Sequence, residues 1–220
     1  MKIVIQCAAS KDPGAGSLTD ANGQPVLFVA NPALAPPSGT CTYARPDDPA
    51  GNGLSWRDVL LEYNKGYERT GANPLGLLPA YRLYAPSIYR QLVDRFGVSN
   101  VFILSAGWGL IRADFLTPKY DITFSTRAER YKRRLKRDRY NDFRMLPHDA
   151  SEQIVFFGGK DYVALFCDLS RECQGRRFVV YSSGSPPKAP GCTLIRYPTA
   201  IRTNWHYACA RDFMTGRWQV

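Results

Sequence analysis

Five short hydrophobic runs, each followed by a loop of small and hydrogen-bonding residues, constrain the fold of this chain most strongly. Continuous apolar runs of this length are typical of strands buried on both faces of a mainly parallel sheet, and helical patterns separate most of them. The loops that leave the carboxyl ends of such strands form the ligand crevice. We therefore predict an α/β fold, a three-layer sandwich whose strand-end loops share one edge. The runs span residues 3–5, 101–104, 154–157, 178–181 and 194–197.

The size and charge of the chain narrow the functional classes. Its 220 residues suffice for one well-packed domain, and we predict a single domain, 1–220. The net charge of +10 attracts polyanions, with nucleic acid as the first candidate and an anionic membrane surface as its rival. No apolar run approaches the roughly 20 residues of a membrane-spanning helix. The amino terminus has the pattern of a first strand rather than of a signal peptide.

The cysteines are dispersed, and only two histidines accompany them. A structural zinc site needs clustered Cys and His ligands, so we expect no metal and no cofactor. Dispersed cysteines without a signal peptide fit reduced thiols, which predicts a cytoplasmic protein. The six are Cys7, Cys41, Cys167, Cys173, Cys192 and Cys209.

Between the runs, the sequence predicts helices and one long irregular segment. Residues 12–54 are rich in Pro and Gly with little periodicity, which indicates a loop excursion that is either a lid or a surface feature. Capping and periodicity predict helices over 55–69, 86–97, 160–169 and 203–213.

A basic stretch predicts a further helix within 125–145. Thr126 and Glu129 have capping-box spacing, and the apolar line behind them is narrow. Like charges at helical spacing repel unless an anion relieves them, which favours a DNA-backbone contact over an ordinary solvated face. The predicted contacts are Arg130, Arg133, Arg134, Lys136 and Arg137.

Two loops have the chemistry of an anion site. Gly158, Gly159 and Lys160 end one run and start a helix, so backbone N–H groups and the helix dipole are available to a phosphate. Ser182 and Ser183 repeat this chemistry after the next run. The alternative is a tight turn that needs glycine.

The loop after the second run is the most distinctive. Ser105, Gly107 and Trp108 would let backbone approach a flat ligand while the indole ring stacks on it. The alternative is a tryptophan that fills the core beneath the loop.

Candidate catalytic groups lie farther along the chain. Asp121, with Asp114 as second choice and Tyr120 beside it, would orient water or stabilise a sugar cation. Asn204 and His206 would contact a base edge and ease departure of the base. Capping, surface ion pairs and a structural histidine are the alternatives.

Two segments resemble a known group of proteins. Residues 7–11, Cys-Ala-Ala-Ser-Lys, are similar to a C-S-x-x-K-type motif after the first strand of uracil-DNA-glycosylase-like domains. Residues 104–111 and 118–121 resemble the L-S-A-x-x-G-L and P-x-Y-D segments of small bacterial proteins related to the YaaA peroxide-stress family. The resemblance implies the superfamily fold, DNA contact, and Lys11, Ser105 and Asp121 in the pocket.

The same neighbourhood includes phage-defence glycosylases that remove modified bases. The chain lacks a G-Q-D-P-Y-type and an H-P-S-type loop, so uracil is not the expected substrate. Our leading hypothesis is a DNA glycosylase that flips a modified base out of duplex DNA and hydrolyses its N-glycosidic bond, without an obligate protein partner. The alternatives are a non-catalytic DNA-binding stress protein and an enzyme acting on free nucleotides.

Overall fold

The computed structural model describes residues 1–51, 53–149 and 151–220. Its helices are α1 (Trp56–Thr70), α2 (Ala80–Leu83), α3 (Ile88–Phe96), α4 (Lys160–Leu169) and α5 (Trp205–Met214). Its strands are β1 (Lys2–Gln6), β2 (Val26–Val29), β3 (Thr42–Ala44), β4 (Pro49–Gly51), β5 (Leu54–Ser55), β6 (Leu78–Pro79), β7 (Val101–Ser105), β8 (Gly109–Arg112), β9 (Leu116–Thr117), β10 (Tyr120–Asp121), β11 (Phe143–Arg144), β12 (Ile154–Phe157), β13 (Arg177–Tyr181) and β14 (Thr193–Arg196).

A seven-stranded sheet forms the centre of the molecule, in the order β11-β8-β7-β1-β12-β13-β14. The five strands from β7 to β14 are parallel neighbours, whereas β8 returns antiparallel to β7 and pairs in parallel with β11. These five strands are the five hydrophobic runs of the sequence. The predicted α/β fold with a mainly parallel sheet is therefore confirmed, and the loops after the five strands share one edge.

Two adjacent phenylalanines on β12 show that helices cover both faces of this sheet. Phe156 stacks on Phe166 of α4 with ring centroids 4.7 Å apart, and Phe157 meets Phe213 of α5 at 5.4 Å. Successive side chains of a strand point to opposite faces, so α4 and α5 lie on opposite sides. Phe96 of α3 stacks on Phe213, which puts α3 in the same layer as α5. The described residues form three layers with apolar residues throughout the strands.

The predicted helix ends are close to the observed ones. Ser55 and Asp58 form a capping box at the start of α1, and Gly71 ends that helix with φ of 70°. The helix predicted over 86–97 begins two residues later, at Ile88.

The segment 12–54 is not an irregular excursion, and that interpretation is wrong. It contains β2 and β3, which join β10 in a three-stranded parallel sheet, and the β4–β5 hairpin. Phe28 of β2 packs against Trp56 and Trp108 at 5.9 and 5.0 Å. These strands have only two to four residues each, too few to produce a visible period between prolines and glycines.

The basic helix predicted within 125–145 is also wrong. The segment forms turns followed by β11, and a short parallel bridge joins Thr123 to Arg133. The backbone N–H of Thr123 donates to Lys132, and that of Arg134 donates to Thr123, both at 2.9 Å. Tertiary pairing satisfies the backbone here, whereas a helix would bring like charges together one turn apart.

Arg134 anchors this segment in the core. Its guanidinium is buried, lies 2.6 Å from the Asp142 carboxylate, donates to the carbonyl of Ala106 at 2.8 Å and covers the Tyr140 ring at 3.9 Å. It cannot contact DNA from this position. The prediction that Arg134 contacts the DNA backbone is therefore wrong, because its guanidinium is buried in an ion pair with Asp142.

Replacing Arg134 with methionine should destabilise the fold strongly. The substitution leaves the buried Asp142 carboxylate without its partner, which costs about 3–5 kcal/mol of unfolding free energy. Exposed Arg137 is the matched control, and Arg137→Met should change the stability by about 0.5 kcal/mol or less. Denaturant unfolding measures both, and equal losses for the two variants would contradict the anchoring role.

Candidate functional site

Two adjoining pockets open at the edge where the parallel strands end. One, of about 650 Å³, is lined by residues that follow β12, β13 and β14. The other, of about 580 Å³, is lined by residues that follow β1 and β12. They share Gly159, Lys160, Asp161 and Arg202, so we treat them as one strand-edge groove. Their volumes match those of small-molecule sites.

Two helices begin at this groove. Gly159 precedes α4 and offers no side-chain oxygen to the first N–H groups of that helix, while its own N–H donates to Gln6 Oε1 at 2.6 Å. A Cβ on Gly158 would collide with the Phe156 ring, so this turn needs glycine. The positive ends of the α4 and α5 dipoles thus point toward the groove, which favours an anion.

The side chains of the groove add positive charge. Three cationic residues line it: Arg127, Lys160 and Arg202. Among the described residues of the lining, the one carboxylate belongs to Asp161, in the first turn of α4. Lys136, one of the predicted DNA contacts, reaches Asp161 at 3.8 Å. The predicted anion-binding residues Gly158, Gly159, Lys160, Ser182 and Ser183 do come together along this lining.

Neutral hydroxyl groups form the floor of the second pocket. Cys7 Sγ lies 3.3 Å from the Tyr162 hydroxyl, and Tyr207 shares a 3.2 Å hydrogen bond with Tyr89. Tyr89 also donates to the carbonyl of Gln6 at 2.7 Å. Burial raises the pKa of Tyr162 and of Tyr207, so both hydroxyls stay protonated. Such a floor presents aromatic rings and uncharged donors, which suit a nucleobase.

The predicted substrate-binding residues Lys11, Ser105 and Tyr120 form a cluster in which Lys11 is half-buried. Ser105 Oγ donates to the Tyr120 hydroxyl at 2.9 Å, and the Tyr120 hydroxyl lies 2.8 Å from that of Tyr84. Lys11 Nζ lies 4.3 Å from the Tyr120 ring centroid, and burial lowers the pKa of this ammonium. Ser105 and Tyr120 are fully buried and line neither pocket, so their prediction as substrate-binding residues is wrong.

Trp108 does not offer a stacking surface. Its side chain is fully buried between Phe28 and Phe143, whose ring centroids lie 5.0 and 6.5 Å away. The core-filling alternative is therefore correct. Gly107 serves packing as well, because a Cβ there would press on Tyr120 and Ile122 at 3.2 Å.

The two predicted catalytic aspartates lie outside the groove lining. Asp114 follows β8, which returns toward the amino ends of the parallel strands, and Arg112 holds it at 3.0 Å. Asp114 is thus at the opposite edge of the sheet, and its prediction as a site residue is wrong. Asp121 is half-exposed and bound by Lys132 at 2.8 Å. Asp161 was not singled out in the sequence, although an acid in the first turn after Gly-Gly-Lys was its signal.

Asn204 and His206 differ in their surroundings. Asn204 lines the second pocket with φ of 55°, a left-handed conformation found at no other non-glycine residue described. Such backbone conformations cluster at functional sites. His206 is buried two residues later, where burial lowers its pKa to about 4, and it lines neither pocket. It is neutral at physiological pH and does not face a ligand.

A second concave surface is lined by three arginines of the basic segment. It has a volume of about 340 Å³, and we call it the arginine concavity. Of the five predicted DNA contacts, three lie here, while Lys136 faces Asp161 and Arg134 is buried. The charged residues and the two exposed leucines that line it are Arg45, Arg130, Arg133, Arg137, Asp138, Leu34 and Leu135.

In the part of the chain that the structure covers, no group of three or more His, Cys, Asp or Glu side chains is arranged to hold a metal ion. None of the helices in that part has the length and apolar character needed to cross a membrane.

The burial of His206 predicts a specific loss of stability in acid. The folded chain keeps this histidine neutral down to about pH 4, whereas the unfolded chain binds a proton below 6.5. Stability is therefore full above pH 6.5 and falls by about 3 kcal/mol as the pH drops toward 4. In His206→Leu this part of the pH dependence should vanish, as measured by denaturant unfolding at several pH values. His148→Gln, at an exposed histidine, should retain it.

Comparisons with protein-family models, with curated proteins and with solved structures found no match to this chain. The resemblance to uracil-DNA-glycosylase-like domains therefore rests on its sequence motifs alone, and what it implies stays a prediction.

Proposed function

We propose that this protein binds duplex DNA, receives an extruded nucleoside in the strand-edge groove and hydrolyses its N-glycosidic bond. One observation carries the proposal: a groove with a cationic rim and two helix N-termini lies directly above a floor of neutral tyrosine hydroxyls. The rim suits the phosphates, and the floor suits the base. A uracil-DNA-glycosylase-like arrangement of the sheet is part of the same proposal.

The arginine concavity supplies the backbone contact. Arg130, Arg133 and Arg137 face it from the basic segment, and Arg45 joins them from the segment after β3. Arginine forks match phosphate oxygens in pairs, so four of them around one hollow favour a phosphodiester backbone. The net charge of +10 strengthens the attraction over longer distances.

Asp161 is the acid that we assign to the chemistry. Breaking the C1′–N bond leaves a sugar with oxocarbenium character, which a nearby carboxylate stabilises while water adds to C1′. The water gives up a proton, and the departing base takes one up. Asn204, at the border of the same pocket, would hydrogen-bond the base edge. Asp121 would act in second place, since Lys132 already holds its carboxylate.

The substrate in this proposal carries a modified base. Extrusion costs a few kcal/mol and is easiest for bases that pair or stack poorly. The two adjoining pockets also leave room beyond one base for an added group. Removal of modified bases from phage DNA is the role that this specificity would serve.

A second candidate is DNA binding without catalysis. The observation that favours it is that each candidate carboxylate is paired with a lysine, Asp161 with Lys136 at 3.8 Å and Asp121 with Lys132 at 2.8 Å. A carboxylate neutralised in this way contributes little to a sugar cation. The two functions share the binding surface and differ in whether abasic sites appear.

An abasic-site assay separates them. Duplexes with modified and unmodified bases are incubated with the protein and then treated with alkali, which cleaves at abasic sites. We expect cleavage at a modified base, and we expect Asp161→Asn to lower the rate about 100-fold or more while binding persists. Asp114→Asn, at the opposite edge, should keep the wild-type rate. If the protein binds the duplexes but produces abasic sites in none of them, the non-catalytic function is the one that remains.

Asn204→Gly provides a further variant for the same assay. Glycine adopts the left-handed conformation of this position without strain, so folding is preserved while the amide is lost. Cleavage should fall with an unchanged melting temperature. Wild-type cleavage by this variant would remove Asn204 from the site.

A further inference from the structure

Two cysteines outside the groove lie close together. Cys167, in the last turns of α4, and Cys192, directly before β14, have their sulfur atoms 3.7 Å apart. They sit at the edge of the sheet opposite the groove, because α4 runs away from it and β14 runs toward it. All six cysteines of the chain are free thiols in this structure.

Arg177 places a positive charge next to the segments that carry the two cysteines. Its Nη1 lies 3.4 Å from the carbonyl of Cys167, and its Nη2 occupies the space where a Cβ on Gly191 would stand. Gly191 has φ of 69°, so the chain turns over the guanidinium just before Cys192. The charge of Arg177 acts to lower the pKa of both thiols, because a nearby cation stabilises a thiolate.

The Cys192 thiol is the more acidic of the pair. The hydrogen bond between the two thiols and the charge of Arg177 lower the pKa of Cys192 to about 7. The same hydrogen bond and burial raise the pKa of Cys167. One sulfur is thus poised to attack near neutral pH, and the other keeps its proton for the following step.

An opening of about 590 Å³ is lined by Cys167 and by Gly191, the residue directly before Cys192. Arg171, Arg177 and Lys188 line it, and the one carboxylate described there, Asp168, is bound by Arg144 at 3.0 Å. The charge around the opening is therefore positive, which attracts a small anionic reactant and repels a cationic one.

We propose that Cys167 and Cys192 are a site of reversible oxidation by an anionic low-molecular-weight disulfide. The Cys192 thiolate attacks one sulfur of that disulfide, the disulfide bond breaks, and the first small thiolate leaves and takes up a proton from solvent. Cys167 then attacks the Cys192 sulfur in the mixed disulfide, and its proton goes to the second small thiol. Two protein thiols are oxidised to one protein disulfide, and one small disulfide is reduced to two thiols.

A Cys167–Cys192 disulfide would link α4 to the start of β14 at the edge of the sheet opposite the groove. The first turn of α4 lines the groove, and so do Thr199 and Arg202 in the segment after β14. Closing the gap requires the sulfur atoms to approach from 3.7 Å to about 2.05 Å, a small movement for a side chain beside a glycine turn. This inference does not depend on the proposed glycosylase activity.

Oxidised glutathione is the test reagent, and cystamine is its cationic counterpart. The reduced protein is incubated with each at pH 7 and low salt, quenched by acid alkylation and mapped by peptide mass spectrometry. We expect a Cys167–Cys192 disulfide, formed about tenfold faster with glutathione than with cystamine. Half-buried Cys41 should react more slowly than Cys192.

Four variants make the result specific. Cys192→Ser should prevent the bond, while Cys41→Ser and Cys173→Ser should retain it. Arg171→Gln with Lys188→Gln should remove the preference for the anionic reagent. Glutathione left on Cys192, a bond from Cys192 to Cys173, or equal rates for the two reagents in the wild-type protein would each overturn the proposal. The wild-type mapping decides the matter even where a variant fails to fold.

Discussion

The burial of four parallel strands on both faces is the constraint on which the rest of the structure depends. Strands β7, β1, β12 and β13 expose almost no side-chain surface, so their apolar residues hold α3 and α5 on one side and α4 on the other. With both faces covered, polar chemistry is confined to the ends of the strands. The loops after these strands and the first turns of two helices therefore meet at one edge.

Two buried arginines extend this rigidity to the loop after β7. Arg57 donates to the carbonyls of Gly107 and Trp108 at 3.0 Å each, and Arg134 donates to that of Ala106. The guanidiniums are paired with Asp47 and Asp142, respectively. Three consecutive carbonyls are thus satisfied by charged groups from distant segments. This explains why a loop with the composition of a ligand platform is instead a fixed part of the core.

The sequence predicted the sheet well because each strand is a continuous apolar run, and a run of this kind has few alternatives. It predicted for the same reason that the loops after β12 and β13 meet, since strand ends in a parallel sheet must share an edge. Exposure was less predictable: glycines flanking Trp108 fit a ligand platform and a core plug equally well. The basic segment has a capping pattern that favours a helix, but its backbone pairs with Thr123 and its Arg134 pairs with Asp142, contacts that a capping pattern does not reveal. Asp161 could not be assigned to the site from the sequence, because its place there depends on the segments after β1 and β14 lying beside the first turn of α4.

The central claim is that a nucleic acid engages the strand-edge groove, and hydrogen exchange of the backbone amides tests it most directly. Exchange is followed by mass spectrometry with and without a duplex that carries a modified base. The account predicts slower exchange at residues 158–161 and 202–207, together with residues 130–137 at the arginine concavity. Protection limited to the concavity, or absent from both surfaces, would contradict it.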